Sequence, residues 1–451
     1  MANVIKIKKG LDINLKGKAP EVLLNCGKSE TYAIVPDNYT GIVPKVVVKA
    51  GDKVKAGSAL MVDKNRPEIK FVSPVSGEVI AVNRGEKRKV LSIEVKPEAK
   101  IEYEDFGKKE VSALDAESIK GILLEGGMWP FIKQRPYDIV ANPADAPRDI
   151  FVTAFNSAPL APDFDFLAKD EKENLQTGLE ILTKLTAGKV YVGVKKNASS
   201  LNGMKGVEVV EFEGPHPAGN VGVQINHIRP VNKGEVVWTA NATDIILMGR
   251  LFNKGVADFT RLVAVTGSEV KECGYVKAIP GCTVKSILEG KIDPNAHLRI
   301  ISGNVLTGTK VPFDGGYLGA YDCQVTVIPE GDDVNEFLGW AVPGFNKYSV
   351  SHSYLTWLCG KKKEYVMDAR IKGGKRAMIM SNEYDKVFPM DIMPEYLLKA
   401  IISFDIDKME NLGIYEVAPE DFALCEFVDT SKIEIQQIVR NGLNLLYKEM
   451  N

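Results

Sequence analysis

The order of hydrophobic and polar positions divides the chain into stretches of different character. Residues 32–95 alternate short β-branched runs with glycine, proline and serine turns, a pattern typical of a small β-sandwich or barrel. From about residue 115, helical and strand-like stretches alternate, which indicates parallel strands joined by crossover helices. Residues 268–330 return to turn-rich β-structure, and from about residue 380 the hydrophobic spacing is helical.

The individual elements follow from local signals. A helix over Ala116–Glu125 ends at the Gly126-Gly127 pair, which suits a helix C-cap. Further helices are predicted over 174–187, 244–248, 283–288, 393–402, 405–412 and 433–450, and strands over 149–154, 189–194 and 261–265. Residues 382–391 and 418–420 are predicted to be connections.

Composition and charge narrow the class of protein. The 451 residues include 57 lysines and arginines against 59 aspartates and glutamates, so the net charge is −2. A nucleic-acid binder normally carries an excess of basic residues, which this chain lacks. The longest stretch without charged residues, 214–228, is shorter than the roughly 20 apolar residues of a membrane span. Since the N-terminus shows no secretory signal, we expect a soluble, cytoplasmic chain that reaches membranes only through partners.

Cysteine and histidine are too scattered to form a metal site. The six cysteines contain no C-x-x-C pair, which zinc and iron–sulfur sites use to hold a metal rigidly. The four histidines never fall at the helical i, i+4 spacing of a zinc-protease site. We therefore predict no bound metal and interpret the cysteines as small buried residues.

The most distinctive local pattern lies in residues 48–82. Turn-forming glycines and a Ser-Pro pair join its short strands, and the segment resembles the biotinyl/lipoyl-type sandwich. Lipoyl domains carry a modified lysine at a hairpin tip shortly before such a Ser-Pro pair. Here eight residues separate Asp63-Lys64 from Ser73, so we favour a structural sandwich over a carrier domain modified at Lys64.

A second candidate segment follows the first helix. The Gly126-Gly127 pair could present backbone N–H groups to a phosphate, or could simply cap the helix. The next positions combine two aromatic rings with two cations: Trp129, Phe131, Lys133 and Arg135. This combination suits a flat aromatic ligand or a partner surface, and it equally suits a loop pinned by its own aromatic residues.

A third candidate is the stiff loop Gly-Pro-His-Pro-Ala-Gly at 214–219. Its two prolines hold His216 in a fixed direction, either as part of a buried turn or for proton transfer or an interface. The chain contains neither G-x-x-x-x-G-K-[ST] nor G-x-G-x-x-G, so it shows no ordinary nucleotide-binding motif.

Taken together, these features resemble the cytoplasmic A-type component of the sodium-translocating NADH:quinone oxidoreductase. The likeness covers essentially the whole chain, and its most specific segments are 5–14, 51–79, 214–219, 299–309, 338–344 and 424–428. It implies a more distant similarity to the C-type component of the Rnf complex and to the flavin-binding subunit of respiratory complex I. It also implies the domains of a multidomain α/β and β fold: a biotinyl/lipoyl-like barrel-sandwich domain (1–100), a Rossmann-like α/β domain (101–266), an SLBB-like β-grasp domain (267–331), and a β extension with a C-terminal helical domain (332–451).

The chain departs from the flavin-binding relatives at the positions that hold their cofactors. Their loop after the first helix reads Gly-Gly-Ala-Gly-Phe-Pro, whereas residues 126–131 here read Gly-Gly-Met-Trp-Pro-Phe. The resemblance therefore implies a degenerate flavin loop formed by Gly126, Gly127 and Trp129, in which an indole replaces the glycine that approaches FMN. Of the closely spaced cysteines that hold a cluster in the relatives, only Cys425 remains. We expect no redox cofactor in this chain; NADH, flavins, iron–sulfur centres and quinone belong, by resemblance, to the whole complex.

Three hypotheses of different classes follow. The leading one is a cofactor-free peripheral subunit of a sodium-pumping translocase, on the cytoplasmic side of the bacterial inner membrane and docked on membrane subunits. The others are an enzyme subunit that still binds FMN or NADH, and a free-standing carrier modified at Lys64. The predicted contacts to quinone or a partner are Trp129, Phe131, Lys133, Arg135 and His216. Replacing Trp129 and Phe131 with alanine is predicted to weaken quinone binding in the assembled complex.

Overall fold

The computed structural model describes residues 4–336, 344, 346–360 and 362–450. The sequence segment 338–344 lies outside these described residues, except for Gly344. Within the described part, the strands form four sheets of seven, five, four and three strands, and helices gather in the middle and at the C-terminal end. The predicted multidomain fold of α/β and β type is confirmed.

The strands are short. In chain order they are β1 (Val4–Lys6), β2 (Tyr32–Ile34), β3 (Pro44–Val46), β4 (Lys53–Val54), β5 (Ala59–Asp63), β6 (Lys70–Val72), β7 (Gly77–Arg84), β8 (Val90–Pro97), β9 (Lys133–Arg135), β10 (Ile139–Val140), β11 (Ile150–Thr153), β12 (Val190–Lys195), β13 (Glu208–Glu213), β14 (Val237–Asn241), β15 (Arg261–Thr266), β16 (Gly274–Ala278), β17 (Leu298–Ser302), β18 (Thr309–Lys310) and β19 (Gln324–Pro329).

The helices vary more in length. They are α1 (Ala116–Glu125), α2 (Phe164–Leu167), α3 (Lys172–Lys184), α4 (Val221–Ile228), α5 (Ala242–Lys254), α6 (Val284–Leu288), α7 (Tyr384–Val387), α8 (Pro394–Ile402), α9 (Ile406–Asn411), α10 (Ala423–Val428) and α11 (Ile435–Met450). Short 3-10 turns occupy Pro36–Asn38, Glu86–Arg88, Val111–Ala113, Trp129–Phe131, Leu355–Cys359 and Pro419–Phe422.

The N-terminal part forms the predicted barrel-sandwich. One sheet has the strand order β2-β8-β7-β4 and the other the order β3-β5-β6, and apolar side chains of both sheets belong to one buried cluster. Lys64 lies exposed in the loop between β5 and β6. That loop is tied down, because Arg66 Nε lies 2.9 Å from the buried Asp63 carboxylate and Arg66 Nη2 donates to Gly41 O at 3.1 Å.

The middle part contains the predicted parallel sheet. Its strand order is β1-β13-β12-β11-β14-β9-β10, with the first five strands parallel and the β9–β10 hairpin antiparallel. Strand β1, which the sequence places in the sandwich, instead extends the edge of this sheet. From β11 the chain runs to β12 and β13 on one side and then returns to β14 on the other. The strand order therefore reverses between β11 and β14, at the place where open α/β sheets usually bind ligands.

The third part is the five-stranded sheet β16-β15-β19-β17-β18, with α6 confirming the predicted short helix. The sequence places strand 261–265 with the α/β part, and this placement is wrong. Strand β15 pairs antiparallel with β16 and parallel with β19. A buried apolar run after a helix fits either sheet equally well, so local pattern could not decide its partner. The domain boundaries at 100, 266 and 331 stay predictions.

The C-terminal part is helical, and α8, α9 and α11 confirm three predicted helices. Two predicted connections are wrong. Residues 382–391 contain α7, and residues 418–420 form the N-cap and the first two positions of the 3-10 turn Pro419–Phe422. Such single turns are too short to show a helical period. The β extension predicted at the start of 332–451 is not found among its described residues, where Tyr365 makes a single bridge to Leu15.

Candidate functional site

A polar cavity lies where the strand order of the seven-stranded sheet reverses. It encloses about 170 Å³ at the carboxyl ends of β11 and β14, which Thr153 and Asn241 terminate. Helices α4 and α5 begin beside it, and the five-stranded sheet contributes lining residues from 303–307 and 321–324. The helical part contributes Glu420. Three of the four parts of the fold thus meet around one cavity.

His216 lines this cavity. Its loop is held by a hydrogen bond from the His216 N–H to Asp12 Oδ1 at 2.9 Å. The residue is 4% exposed, and its Nδ1 lies 2.9 Å from Ser157 Oγ. Because Ser157 Oγ accepts the Gly219 N–H at 2.8 Å, we assign its hydroxyl hydrogen to Nδ1 and the imidazole proton to Nε2. Burial lowers the pKa of His216 to about 4, so the ring is neutral at neutral pH and has Nε2–H left to donate.

The rest of the lining favours uncharged groups. Burial raises the pKa of Asp322, whose Oδ2 accepts a hydrogen bond from Ser302 Oγ at 2.5 Å. Buried Gln324 donates from Nε2 to Thr326 Oγ1 at 2.9 Å, while its Oε1 has no hydrogen-bond partner among the described residues. The described residues that line the cavity include no lysine or arginine. A phosphate finds no cation here, whereas a neutral ligand finds a donor and an acceptor.

A second, smaller cavity of about 50 Å³ adjoins the first. Its lining includes Phe131 and Lys133, and it shares Val221, Asn241, Tyr321 and Glu420 with the larger cavity. Lys133 Nζ lies 4.9 Å from the centre of the Tyr321 ring and 3.8 Å from Asp138 Oδ1. The Phe131 ring packs edge-on against Tyr321 with 5.6 Å between ring centres. The structure thus brings Phe131, Lys133 and His216, three of the five predicted contact residues, to neighbouring cavities.

The other two predicted contact residues are buried elsewhere. Trp129 lies in the core, where its Nε1 donates to Ala141 O at 2.8 Å. The buried Arg135 donates from Nη1 to Glu416 O at 2.8 Å, and the same nitrogen lies 3.2 Å from Asp421 Oδ2. Contact of Trp129 and Arg135 with quinone stays a prediction, and their burial argues against it. The alternative interpretation, a loop pinned by its own aromatic residues, agrees with these positions.

Arg135 belongs to a group of charged side chains between the α/β part and the helical part, in which Arg135, Glu416 and Asp421 are buried and Glu420 is half-exposed. Burial raises the pKa of Glu416 to about 7, and Asn226 Nδ2 donates to its Oε1 at 2.7 Å. Burial also raises the pKa of the neighbouring Glu420 and Asp421, while Arg135 opposes that shift in both. Glu420 therefore connects this group of charges to both cavities.

Of the Gly126-Gly127 pair, Gly126 faces Leu251 of α5 and Gly127 faces the sandwich part. Gly127 has a φ of +67°, and a Cβ there would lie 2.5 Å from Val72. The Gly126 N–H donates to Ile122 O at 2.9 Å, and the Met128 N–H donates to Leu123 O at 2.9 Å. These N–H groups close the end of α1, as in the helix-cap interpretation, and neither glycine lines the cavity.

One group of side chains among the described residues has the composition of a metal site. His297, Asp332 and Asp333 place one ligand atom each within 4.8 Å of one another. All three are exposed, and His297 Nδ1 already pairs with Asp332 Oδ1 at 2.9 Å. Exposed acidic groups commonly occur without a metal, so this group adds no cofactor to the predictions.

Sequence reasoning missed Asn241, Tyr321, Asp322, Gln324 and Glu420 as lining residues. A signal existed for Asn241, since it directly follows the buried apolar run of a parallel strand. The other four come from the third and fourth parts of the chain. Only the packing of these parts onto the α/β sheet brings them to the cavity, and no local pattern records that packing.

The comparisons with known proteins point in one direction. Three family models match: the NqrA N-terminal barrel-sandwich hybrid domain over residues 5–98, the NqrA second alpha/beta domain over 114–257, and the NQRA C-terminal domain, labelled SLBB, over 262–312. The chain is similar to the NqrA proteins of the Na(+)-translocating NADH-quinone reductases of Vibrio vulnificus and Vibrio anguillarum, at 38% identity to each, and of Yersinia pestis, at 36%. Each alignment covers 99% of this chain and 100% of the relative.

Among solved structures, an NAD+-reducing NiFe hydrogenase aligns over 74% of this chain and 61% of its own length. The TM-score is 0.38 and the sequence identity 12%, too weak a likeness to support an argument.

Proposed function

Since the chain belongs to the NqrA family of the Na(+)-translocating NADH-quinone reductase, we propose that it is a peripheral subunit of such a complex. The complex couples NADH oxidation and quinone reduction to the export of sodium ions. This chain carries no redox cofactor; it supports assembly and quinone reduction. NADH, flavins and iron–sulfur centres belong to the other subunits.

In this proposal the chain lies on the cytoplasmic side of the bacterial inner membrane and docks on the membrane subunits. Among the described residues, every helix is too short or too polar to cross a bilayer. The partners themselves are proposed from the family alone.

The absence of flavin is supported by the chemistry of the cavity. Its volume of about 170 Å³ is below the roughly 300 Å³ at which pockets for whole cofactors begin. The described lining of the larger cavity offers no cation to a phosphate, and Lys133 of the smaller cavity already lies 3.8 Å from Asp138 Oδ1. The N–H groups of the Gly126-Gly127 turn already cap α1. The alternative function, a subunit that retains an FMN or NADH site, finds no such support.

Quinone binding is proposed because the cavity offers one neutral hydrogen-bond donor, on His216, and one neutral acceptor, on Gln324. We assign a quinone headgroup to the two adjoining cavities. The His216 Nε2–H donates to a quinone carbonyl oxygen, and the unpaired Gln324 Oε1 accepts the hydroxyl hydrogen of the reduced quinol. Lys133 and the Phe131 ring line the smaller cavity and contact the remainder of the quinone ring.

The test is replacement of His216 with leucine, which has no hydrogen-bond donor, in the assembled complex, with His227→Leu as the matched control. His227 is exposed on α4 and lies outside both cavities. Loss of one hydrogen bond to the quinone should raise the quinone KM about tenfold in the His216 variant and leave the control unchanged. NADH oxidation with an artificial acceptor that bypasses quinone reports whether the complex is intact. An unchanged quinone KM in an intact His216→Leu complex overturns the assignment.

A further inference from the structure

Residues 346–380, here called the basic strap, expose an unusual density of apolar side chains. Eight of the 22 exposed large hydrophobic residues of the described chain lie in this stretch. Three of them share the 3-10 turn Leu355–Cys359: Leu355 is 46% exposed, Trp357 52% and Leu358 64%. The other five are Val350, Val366, Ile371, Ile379 and Met380. Surface apolar residues scattered singly need no explanation, but three on one turn do.

The turn Leu355–Cys359 is held so that these three side chains face outward. Thr356 is buried, and its Oγ1 donates to Lys347 O at 2.6 Å. The Trp357 ring stacks on His352 with 5.7 Å between ring centres and an interplanar angle of 21°. In a 3-10 turn residues three apart are aligned, so Leu355 and Leu358 form one ridge with the indole beside it. The result is an apolar tip on an anchored turn.

The basic strap also carries a concentrated positive charge. It contains eight lysines and arginines and two acidic residues, a net charge of +6 in a chain whose total is −2. Among the described residues, Glu336 from outside the strap pairs with Lys347 and Arg370, and Glu434 pairs with Lys375. Three of the lysines of the strap, 361–363, follow the turn Leu355–Cys359 after Gly360 in sequence.

We propose that the basic strap binds directly to an anionic phospholipid bilayer. Leu355, Trp357 and Leu358 enter the boundary between headgroups and acyl chains, where tryptophan is favoured, and the lysines bind the anionic headgroups. An anionic bilayer presents negatively charged headgroups outside an apolar interior. The exposed aliphatic side chains and the indole suit the apolar interior, and the neighbouring lysines suit the headgroups. This contact needs no spanning helix, and it does not depend on the quinone assignment. It departs from the expectation that the chain reaches membranes only through partners.

The test is sedimentation of the isolated full-length chain with vesicles of phosphatidylcholine, with or without about one third phosphatidylglycerol. We expect binding to the anionic vesicles that weakens as salt increases, and little binding to neutral ones. Trp357→Ala with Leu358→Ala should weaken binding at least tenfold, to judge from the apolar area involved. Lys362→Gln with Lys363→Gln should weaken it about 25-fold, at roughly fivefold per lysine. The matched control is Phe404→Ser, an apolar side chain 74% exposed outside the strap.

Trp357 also reports on its own surroundings. Its fluorescence should shift to the blue on binding anionic vesicles, and Trp357→Phe should abolish the shift while retaining binding. Since the altered side chains are exposed or half-buried, circular dichroism should show an unchanged fold. Absence of binding to anionic vesicles at low salt overturns the proposal, as does binding that the strap variants leave unchanged. Strap variants that only weaken assembly with other subunits would identify a protein interface instead, and would equally overturn it.

Discussion

Glu416 lies 6% exposed between the α/β part and the helical part, and burial raises the pKa of its carboxyl group from 4.5 to about 7. Below pH 4.5 the group is protonated in both folded and unfolded chains and contributes nothing to the pH dependence. As the pH rises from 4.5 through 7, the unfolded chain loses this proton first, so the folded state loses stability. Over this window the loss amounts to roughly 3 kcal/mol.

Glu416→Gln should remove this dependence, because glutamine keeps the oxygen that accepts the Asn226 hydrogen bond and does not titrate. The measurement is the free energy of unfolding in urea at pH 5 and at pH 8 for both proteins. Relative to the wild type, the variant should gain about 2.5 kcal/mol between the two values of pH. A difference between the proteins that is the same at both pH values would show that Glu416 does not titrate in this range.

Trp129 shows why a residue's chemistry alone does not define a site. Sequence reasoning could recognise two rings and two cations close together, but it could not tell an exposed indole from one that packs edge-on against Trp238 in the core. Trp129→Ala should lower the free energy of unfolding by about 3–5 kcal/mol, as large aromatic truncations in cores do. Trp129→Phe, which retains a ring and loses the bond to Ala141 O, should cost less. Urea titration of the two variants measures both values, and equal stability of wild type and Trp129→Ala would contradict the burial.

At the scale of elements, the contact between α4 and the helical part depends on Gly222. A Cβ at this position would lie 2.4 Å from Oδ2 of Asp421, a carboxylate that accepts hydrogen bonds from Arg135 and the Ala418 N–H. Gly222→Ala must push this carboxylate away from its partners, and we expect a loss of about 1–3 kcal/mol in unfolding free energy. Gly121→Ala is the control, because a Cβ on that position of α1 meets nothing within 4 Å. It should stabilise the helix by about 0.5–1 kcal/mol, and a similar gain for Gly222→Ala would refute the contact.

Elements with a clear period could be predicted from the sequence, and those defined by distant partners could not. Helices α1, α8 and α11 follow from hydrophobic spacing and end signals, and the parallel strands β11 and β12 follow from their buried apolar runs. Strand β15 is also recognisable as an extended run, whereas no strand is predicted over residues 4–6, where β1 lies. Their sheets depend on hydrogen bonds to β13, and to β16 and β19, which no local pattern specifies.

At the scale of the whole molecule, the candidate site is a product of domain packing. His216 and Asn241 come from the α/β part, Gln324 and Asp322 from the five-stranded sheet, and Glu420 from the helical part. The sequence alone allowed the selection of Phe131, Lys133 and His216, because aromatic rings, cations and an imidazole flanked by two prolines are chemically distinctive. Gln324 could not, since its importance lies in an amide oxygen that the packed structure leaves without a partner among the described residues.

Two features support the absence of flavin from this chain: the small volume of the candidate cavity, and a glycine pair whose N–H groups cap a helix. The most direct measurement is the visible absorption spectrum of the purified chain after incubation with excess FMN and removal of free ligand. We predict no flavin absorbance in the protein fraction, because the described lining of the larger cavity offers no cation for the phosphate and Lys133 of the adjoining cavity already faces Asp138. The indole of Trp129 is also fixed in the core. A flavin band corresponding to about one FMN per chain would contradict the account and favour a subunit that retains a flavin site.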